Sequence, residues 1–260
     1  MQERPPIPEP MKREVRQRCG FGCVICGLPI YQYDHMKEWA IVKEHKAEDL
    51  TLLCPQHHTE VTHGLLSRES VFSANKDPIN LRHGQSRPLL LHYNDPKIDF
   101  IIGSNIVSWE QNESYKDFAA IVVDMELLLG FSFEDGNFGL HMNILDSFNK
   151  VVLTILNNEL IYSSEVWDIQ FVGKSLTIRE GHRNILIKFT FEPPHKVIVE
   201  NGHFLCNGVE LTVTPTHMAH DGGLIIGGQY SGKNAAFVFG RRGPGLHAAR
   251  YYADINRYKR

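Results

Sequence analysis

The spacing of cysteine and histidine near the N-terminus constrains this 260-residue chain more than any other feature. Cys23-Val-Ile-Cys26 is a C-x2-C knuckle, and Cys54-Pro-Gln-His57 supplies a C-x2-H half-site. Two such pairs can close one tetrahedral zinc site. Four of the five cysteines (Cys19, Cys23, Cys26, Cys54) fall within 36 residues, and only Cys206 lies elsewhere. An odd count, clustered with histidines in a chain whose first residues lack the apolar core of a secretion signal, argues for metal rather than disulfides. Cys19 can replace Cys23 as a ligand, although its spacing suits the knuckle less well. Its alternative reading, like that of Cys206, is a small core residue. For the set as a whole, the bland alternative is a redox pair or ordinary buried cysteines.

Composition narrows the class. With 42% apolar and 22% charged residues the chain reads as globular, which excludes a disordered or collagen-like protein. No apolar run approaches the roughly 18–20 residues of a membrane span, so no membrane partner and a cytoplasmic location are expected. A net charge of −3 does not mark a nucleic-acid binder, so any such claim must rest on local features.

The chain divides into two regions of different character. Pro10 precedes a short charged helix over Met11–Cys19, the glycines at 20, 22 and 27 mark turns around the knuckle, and Ile30–His35 alternates like a strand. A second strand is expected over Leu50–Leu53. A helix then runs from Pro55 to about Gly64, since proline suits a first turn and glycine a stop. Residues 71–97 are rich in turn formers and read as a linker. From residue 98 onward, short apolar or alternating runs (Val151–Leu156, Val166–Val172, Ile185–Phe191, Val209–Val213, Ala235–Phe239) are separated by turn pairs such as Asn157-Asn158, Asn201-Gly202 and Asn207-Gly208. Turns every 8–12 residues indicate a mainly β domain, with sandwich, barrel and solenoid all open. Phe118–Leu129 reads as either a helix or a buried strand. The expected class is α+β: a small module over 1–70, the linker, and a larger β domain over 98–260.

Between the half-sites lies Asp34-His35, and His58 follows His57 directly. Adjacent helical side chains diverge by about 100°, so His57 and His58 can serve different centres. A carboxylate with a neutral imidazole suits a Mg²⁺- or Mn²⁺-class ion that keeps open positions. A histidine beside it suits proton abstraction from water. In a regular strand, however, Asp34 and His35 face opposite sides, and both serve one site only if the strand ends or bulges there.

Cys23-x2-Cys26, Asp34-His35, Asp49-Leu-Thr-Leu-Leu-Cys54 and Cys54-x2-His57-His58 together resemble the HNH endonucleases with the ββα-metal fold, over residues 10–68. The resemblance implies His35 as general base, Asp34 and His58 as ligands of the catalytic ion, and Cys23, Cys26, Cys54 and His57 as the zinc set. It also implies cleavage that leaves 5′-phosphate and 3′-hydroxyl ends. Asp49 falls where the family has an asparagine that steadies the first histidine. An ionised carboxylate only accepts hydrogen bonds, whereas an amide also donates.

Lys12, Arg13, Arg16 and Arg18 make the first helix basic enough to meet phosphates, and Arg82 and Arg87 offer further backbone contacts. The basic, tyrosine-containing last twenty residues add a third candidate. Each has a bland counterpart as a solvated charged surface. The expectation is a metal-dependent DNA endonuclease, with RNA left open as substrate. Its β domain is read as a targeting, sensing or assembly element, with homo-oligomerisation through it as one use and restriction or anti-phage defence as the setting. The rival is a non-catalytic, zinc-stabilised nucleic-acid-binding protein.

Overall fold

The computed structural model describes residues 5–37, 39, 43–110, 116–134, 137–231, 234–241 and 249–258. Among the described residues helices account for 15% and strands for 48%, so the protein is mixed α+β with a large β part. It divides into two compact units. The first comprises Met1–Leu89 and Ile161–Phe171, and the second comprises Leu90–Leu160 and Val172–Arg260. Among the described residues no helix is long and apolar enough to cross a membrane.

In the first unit, α1 (Glu9–Arg18) starts after Pro8, with Glu9 in its first turn and Arg16 and Arg18 in its last, charges that complement the helix dipole. Gly20 ends it at a φ of 67°. The knuckle turn follows, where Gly27 takes a φ of 76° and a Cβ would lie 2.3 Å from the Asn80 amide oxygen. Strands β1 (Gln32–His35) and β2 (Leu50–Leu53) pair antiparallel, with Asp34 opposite Thr51 and His35 opposite Leu50. Helix α2 (Pro55–Thr62) is capped by Cys54, and Gly64 turns the chain at a φ of 71°. Val15, Val24, Leu50, Leu52, Leu53, Val61 and Val71 form the core beneath these elements.

The stretch read as a linker is largely folded into this unit. Helix α3 (Arg68–Lys76) is capped by Ser67, whose hydroxyl accepts from the Ser70 N–H, and Val71 is fully buried. Helix α4 (Ile79–His83) carries Asn80, which is 2% exposed and donates to the carbonyls of Gly20 and Gly27. Both helices are short and flanked by Asn, Asp and Pro, so turn-forming composition masked them. Residues 84–88 and 91–96 match the expected irregular connection.

Residues 161–171, expected in the β domain, return to complete the first unit. The Tyr162 hydroxyl donates to Phe21 O at 2.5 Å, and Ser164 Oγ donates to Asn80 O at 3.0 Å. Asp168, wholly buried, receives Arg16 Nε and Nη2, each at 2.8 Å.

The second unit is a sandwich of two open sheets rather than a barrel or solenoid. In one, Ser175–Gly181, Asn184–Glu192, Lys196–Cys206, Val209–Thr214, His217–His220 and Gly223–Ile225 run as antiparallel neighbours. Lys97–Ile102 joins Lys196–Cys206 in parallel. In the other, Asp117–Val123, Glu126–Glu134, Asn137–Leu145 and Val151–Leu156 form a meander, and Ala235–Phe239 adds to it in parallel. Rings from the two sheets pack together, Phe100 stacked on Phe118 at 6.4 Å and Trp109 tilted against Phe131 at 6.0 Å. Phe118–Leu129 is neither one helix nor one strand: it turns at Asp124-Met125, both at positive φ. Asn201-Gly202 likewise lies inside one long strand rather than at a turn, next to a bulge at Glu200. A Cβ on Gly202 would lie 2.3 Å from Leu186 O.

Candidate functional site

Cys23 and Cys26 are presented by the knuckle, and Cys54 and His57 by the first turn of α2, so four donor atoms converge within 4.8 Å of one another. His57 Nδ1 lies 3.3 Å from Cys23 Sγ and 3.2 Å from Cys54 Sγ, while Cys26 Sγ and Cys54 Sγ are 3.8 Å apart. A tetrahedral zinc with Zn–S bonds near 2.3 Å has sulfur–sulfur edges of about 3.8 Å, so donor chemistry and spacing both suit that ion. The set can hold a metal ion. Local electrostatics favour the thiolate form of one ligand, because the hydrogen bond from Cys23 pulls the Cys26 thiol below its ordinary value. That same bond, with burial, pushes Cys23 up. On the far side of the His57 ring, Glu60 Oε2 lies 3.9 Å from Nε2, the side from which a carboxylate commonly orients a metal-bound imidazole. Cys19 stays outside the set. It is fully buried, with Sγ 4.0 Å from Thr51 Oγ1 and 3.5 Å from Asn75 Oδ1.

His57 and His58 point to different neighbours, as adjacent helical residues should. His58 Nε2 lies 3.4 Å from Asp34 Oδ1 on β1. Arg68, at the start of α3, approaches the other oxygen of Asp34 with Nη1 at 3.4 Å and donates to His35 O at 2.5 Å. This arginine escaped the sequence reading because it belongs to none of the motif spacings.

Strand β1 pairs with β2 without a bulge and ends at His35. The His35 ring is 5% exposed and meets a second histidine: its Nε2 lies 3.1 Å from His45 Nδ1. Trp39 packs against both rings, with centroids 5.0 Å from His35 and 4.8 Å from His45. Asp49, which stands where the family has an asparagine, pairs its carboxylate with Lys37 Nζ at 2.8 Å, and its carbonyl accepts from Met36 N. A flexible cation two residues past His35 captures the only charge that position offers, and an asparagine would not compete for it in the same way. His45 carried no spacing signal, since a lone histidine in a polar stretch fits no motif.

The basic residues proposed for phosphate contact fare unevenly. Arg16 is 0% exposed and locked to Asp168, so it is unavailable to a nucleic acid. Arg13 is held by Asp168 at 3.3 Å, with its guanidinium over the Trp167 ring. Arg82 is half-exposed beside Asp77, and Arg87 is exposed. Of the basic C-terminal segment, residues 242–248 and 259–260 lie outside the described residues. Arg257, within it, pairs with Asp124.

No family model matches this chain, and neither a curated protein nor a solved structure does.

Proposed function

We propose that this chain is a metal-dependent endonuclease that hydrolyses DNA phosphodiester bonds, with β1, β2 and α2 forming a ββα-metal module around a structural zinc. The observation that carries the reading is Asp34 Oδ1 within 3.4 Å of His58 Nε2, one residue along the helix from a Cys3His set. A purely structural zinc module has no need of a second, divergent carboxylate–imidazole pair.

Cys23, Cys26, Cys54 and His57 would hold the zinc, which would tie the knuckle to α2. A Mg²⁺- or Mn²⁺-class ion, held by Asp34 and His58, would supply Lewis-acid stabilisation of charge at the phosphate. Arg68 keeps the Asp34 carboxylate oriented through its second oxygen. His35, at the last position of β1, takes the proton from the attacking water. The β domain has no role in this chemistry and serves targeting, sensing or assembly.

The deep burial of His35 favours one other reading, in which the histidine is structural and the protein binds nucleic acid without cutting it. Incubation of supercoiled plasmid with added Mg²⁺ or Mn²⁺ separates the two. The nuclease reading requires nicking by the parent, loss of nicking in His58→Ala with zinc content intact, and loss of zinc in His57→Ala. If the two substitutions behave alike, the ligand assignment is wrong.

A further inference from the structure

Two cavities adjoin in the β sandwich where the turns at Asp124-Met125, Asn149 and Asn207-Gly208 gather. Their volumes are about 370 and 670 Å³, and Gly208, Arg257 and Tyr258 line both. The wall around this junction is held by a closed network. Asp124 receives Arg257 Nη1 at 2.6 Å and Nη2 at 2.8 Å, and its Oδ1 also accepts the Arg241 backbone N–H at 2.9 Å. Arg257 Nη1 donates to Asn207 O at 2.7 Å. Asn149 Nδ2 donates to Asn207 Oδ1 at 2.9 Å, and Asn207 N returns a bond to Asn149 Oδ1 at 2.8 Å. Three polar side chains on the same surface stand outside the network. Among the described residues, the Arg241 guanidinium, the Asp221 carboxylate and the Asn256 amide form no hydrogen bond or ion pair. Arg241 lines the larger cavity, and Asp221 and Asn256 line the smaller one. A fixed wall beside a few uncommitted polar groups suits ligand capture, because the wall loses little freedom on binding.

The two cavities differ in charge. In the larger one Arg241 and Arg257 outnumber Asp124, so it attracts an anion, and a guanidinium meets a phosphate with two parallel N–H donors. In the smaller one Glu210 and Asp221 repel a second anion but accept from hydroxyl and amino groups. Glu210 is steadied there by His203 Nδ1 at 2.7 Å. Asn256 adds an amide, which both donates and accepts and so matches the edge of a nucleobase. The occupant therefore has an anionic end and an uncharged end rich in hydroxyl and amino groups. We propose that this double cavity binds a nucleoside 5′-monophosphate, its phosphate on Arg241 beside Arg257 and its sugar and base among Asp221, Glu210 and Asn256. Both volumes fall within the roughly 300–1,000 Å³ of small-molecule sites. The inference does not depend on the nuclease reading, since the cavities share no residue with the zinc set or with the Asp34–His58 pair.

The test is isothermal titration of the full-length protein with AMP, GMP, CMP and UMP in turn, and with inorganic phosphate. At least one nucleotide should bind at one site per chain, and inorganic phosphate at least about tenfold more weakly, because it leaves the smaller cavity empty. Arg241 is exposed and reaches Asp124 only through its backbone, so Arg241→Ala keeps the wall. That variant should bind nucleotide and phosphate roughly 10–100-fold more weakly, the scale of a lost charge-assisted hydrogen bond. Asp221→Ala should bring the nucleotide towards the affinity of phosphate and leave phosphate itself unchanged. Binding of none of the four nucleotides overturns the proposal. Phosphate bound as tightly as every nucleotide overturns the nucleoside half of it, and parent-like nucleotide binding by Arg241→Ala overturns the placement.

Discussion

Asp168→Ala should loosen the N-terminal unit far more than a typical surface change, because Arg16 would be left buried without its main partner. The guanidinium is 0% exposed. It gives Asp168 two bonds of 2.8 Å and the Tyr33 hydroxyl one of 2.9 Å, and Glu9 accepts a fourth at 3.0 Å. Burial alone would lower the Arg16 pKa, but the Asp168 bonds and Tyr33 raise it above its ordinary value, so the group cannot shed its charge. Breaking a buried pair by removing one partner costs about 3–5 kcal/mol. Glu9, roughly half exposed, retains one contact, which places the expectation near the lower end, about 3 kcal/mol. At about 1.4 kcal/mol per decade this is on the order of a hundredfold in the opening equilibrium. Urea-dependent release of zinc to a chromophoric chelator reads that opening in the N-terminal unit specifically. The double variant Arg16→Met/Asp168→Leu should recover most of the loss, since an apolar pair of similar volume often replaces a buried ion pair without penalty. A cost below about 1 kcal/mol for Asp168→Ala, or a double variant as unstable as the single one, would refute the reasoning.

Three further outcomes follow from individual contacts. Elemental analysis should find about one zinc per chain, and Cys26→Ser or Cys54→Ser should lose it and unfold the module locally, because a small module depends on its metal for stability. Asp49→Asn should cost less than about 1 kcal/mol in urea unfolding, since its partner Lys37 is 58% exposed, and should keep or raise nicking. In the β sandwich, the hydrogen bond from Arg257 holds the Asp124 carboxyl below its ordinary value of 3.8. A depressed carboxyl contributes stability that is complete above the ordinary value and fades as pH falls through the folded one. Thermal melts of the parent and Asp124→Asn should therefore differ at neutral pH and converge only as pH drops below about 4, whereas a constant gap down to pH 2 would exclude this pair as the cause.

Features encoded by short-range spacing were legible in the sequence. Cys23, Cys26, Cys54 and His57 come together because a knuckle and a helix N-terminus each fix two ligands locally, and Pro55 with Gly64 bounds the helix that carries His57 and His58. The β runs were readable from turn pairs, although Asn201-Gly202 shows that a turn signal can also sit inside a strand beside a bulge. Asp168 was out of reach, because its partner Arg16 lies 152 positions away and nothing local marks an aspartate in a strand as buried. The same long-range closure hid the true extent of the first unit, which needs residues 161–171. The relation between Asp34 and His35 was visible only as a steric question. The structure answers it by ending β1 at His35 without a bulge, where Asp34 meets His58 and Arg68 and the His35 ring meets His45 and Trp39.

The central claim is that His35 does chemistry rather than holding structure, and plasmid nicking by the parent and His35→Ala, at equal concentration with Mn²⁺, tests it most directly. A general base contributes on the order of 10²–10⁴ to the rate, so the variant should retain zinc, DNA affinity and melting temperature while its nicking falls by that factor. Equal nicking by the two proteins would remove His35 from the mechanism, and no nicking by either, across metals and substrates, would contradict the account in favour of a binding module.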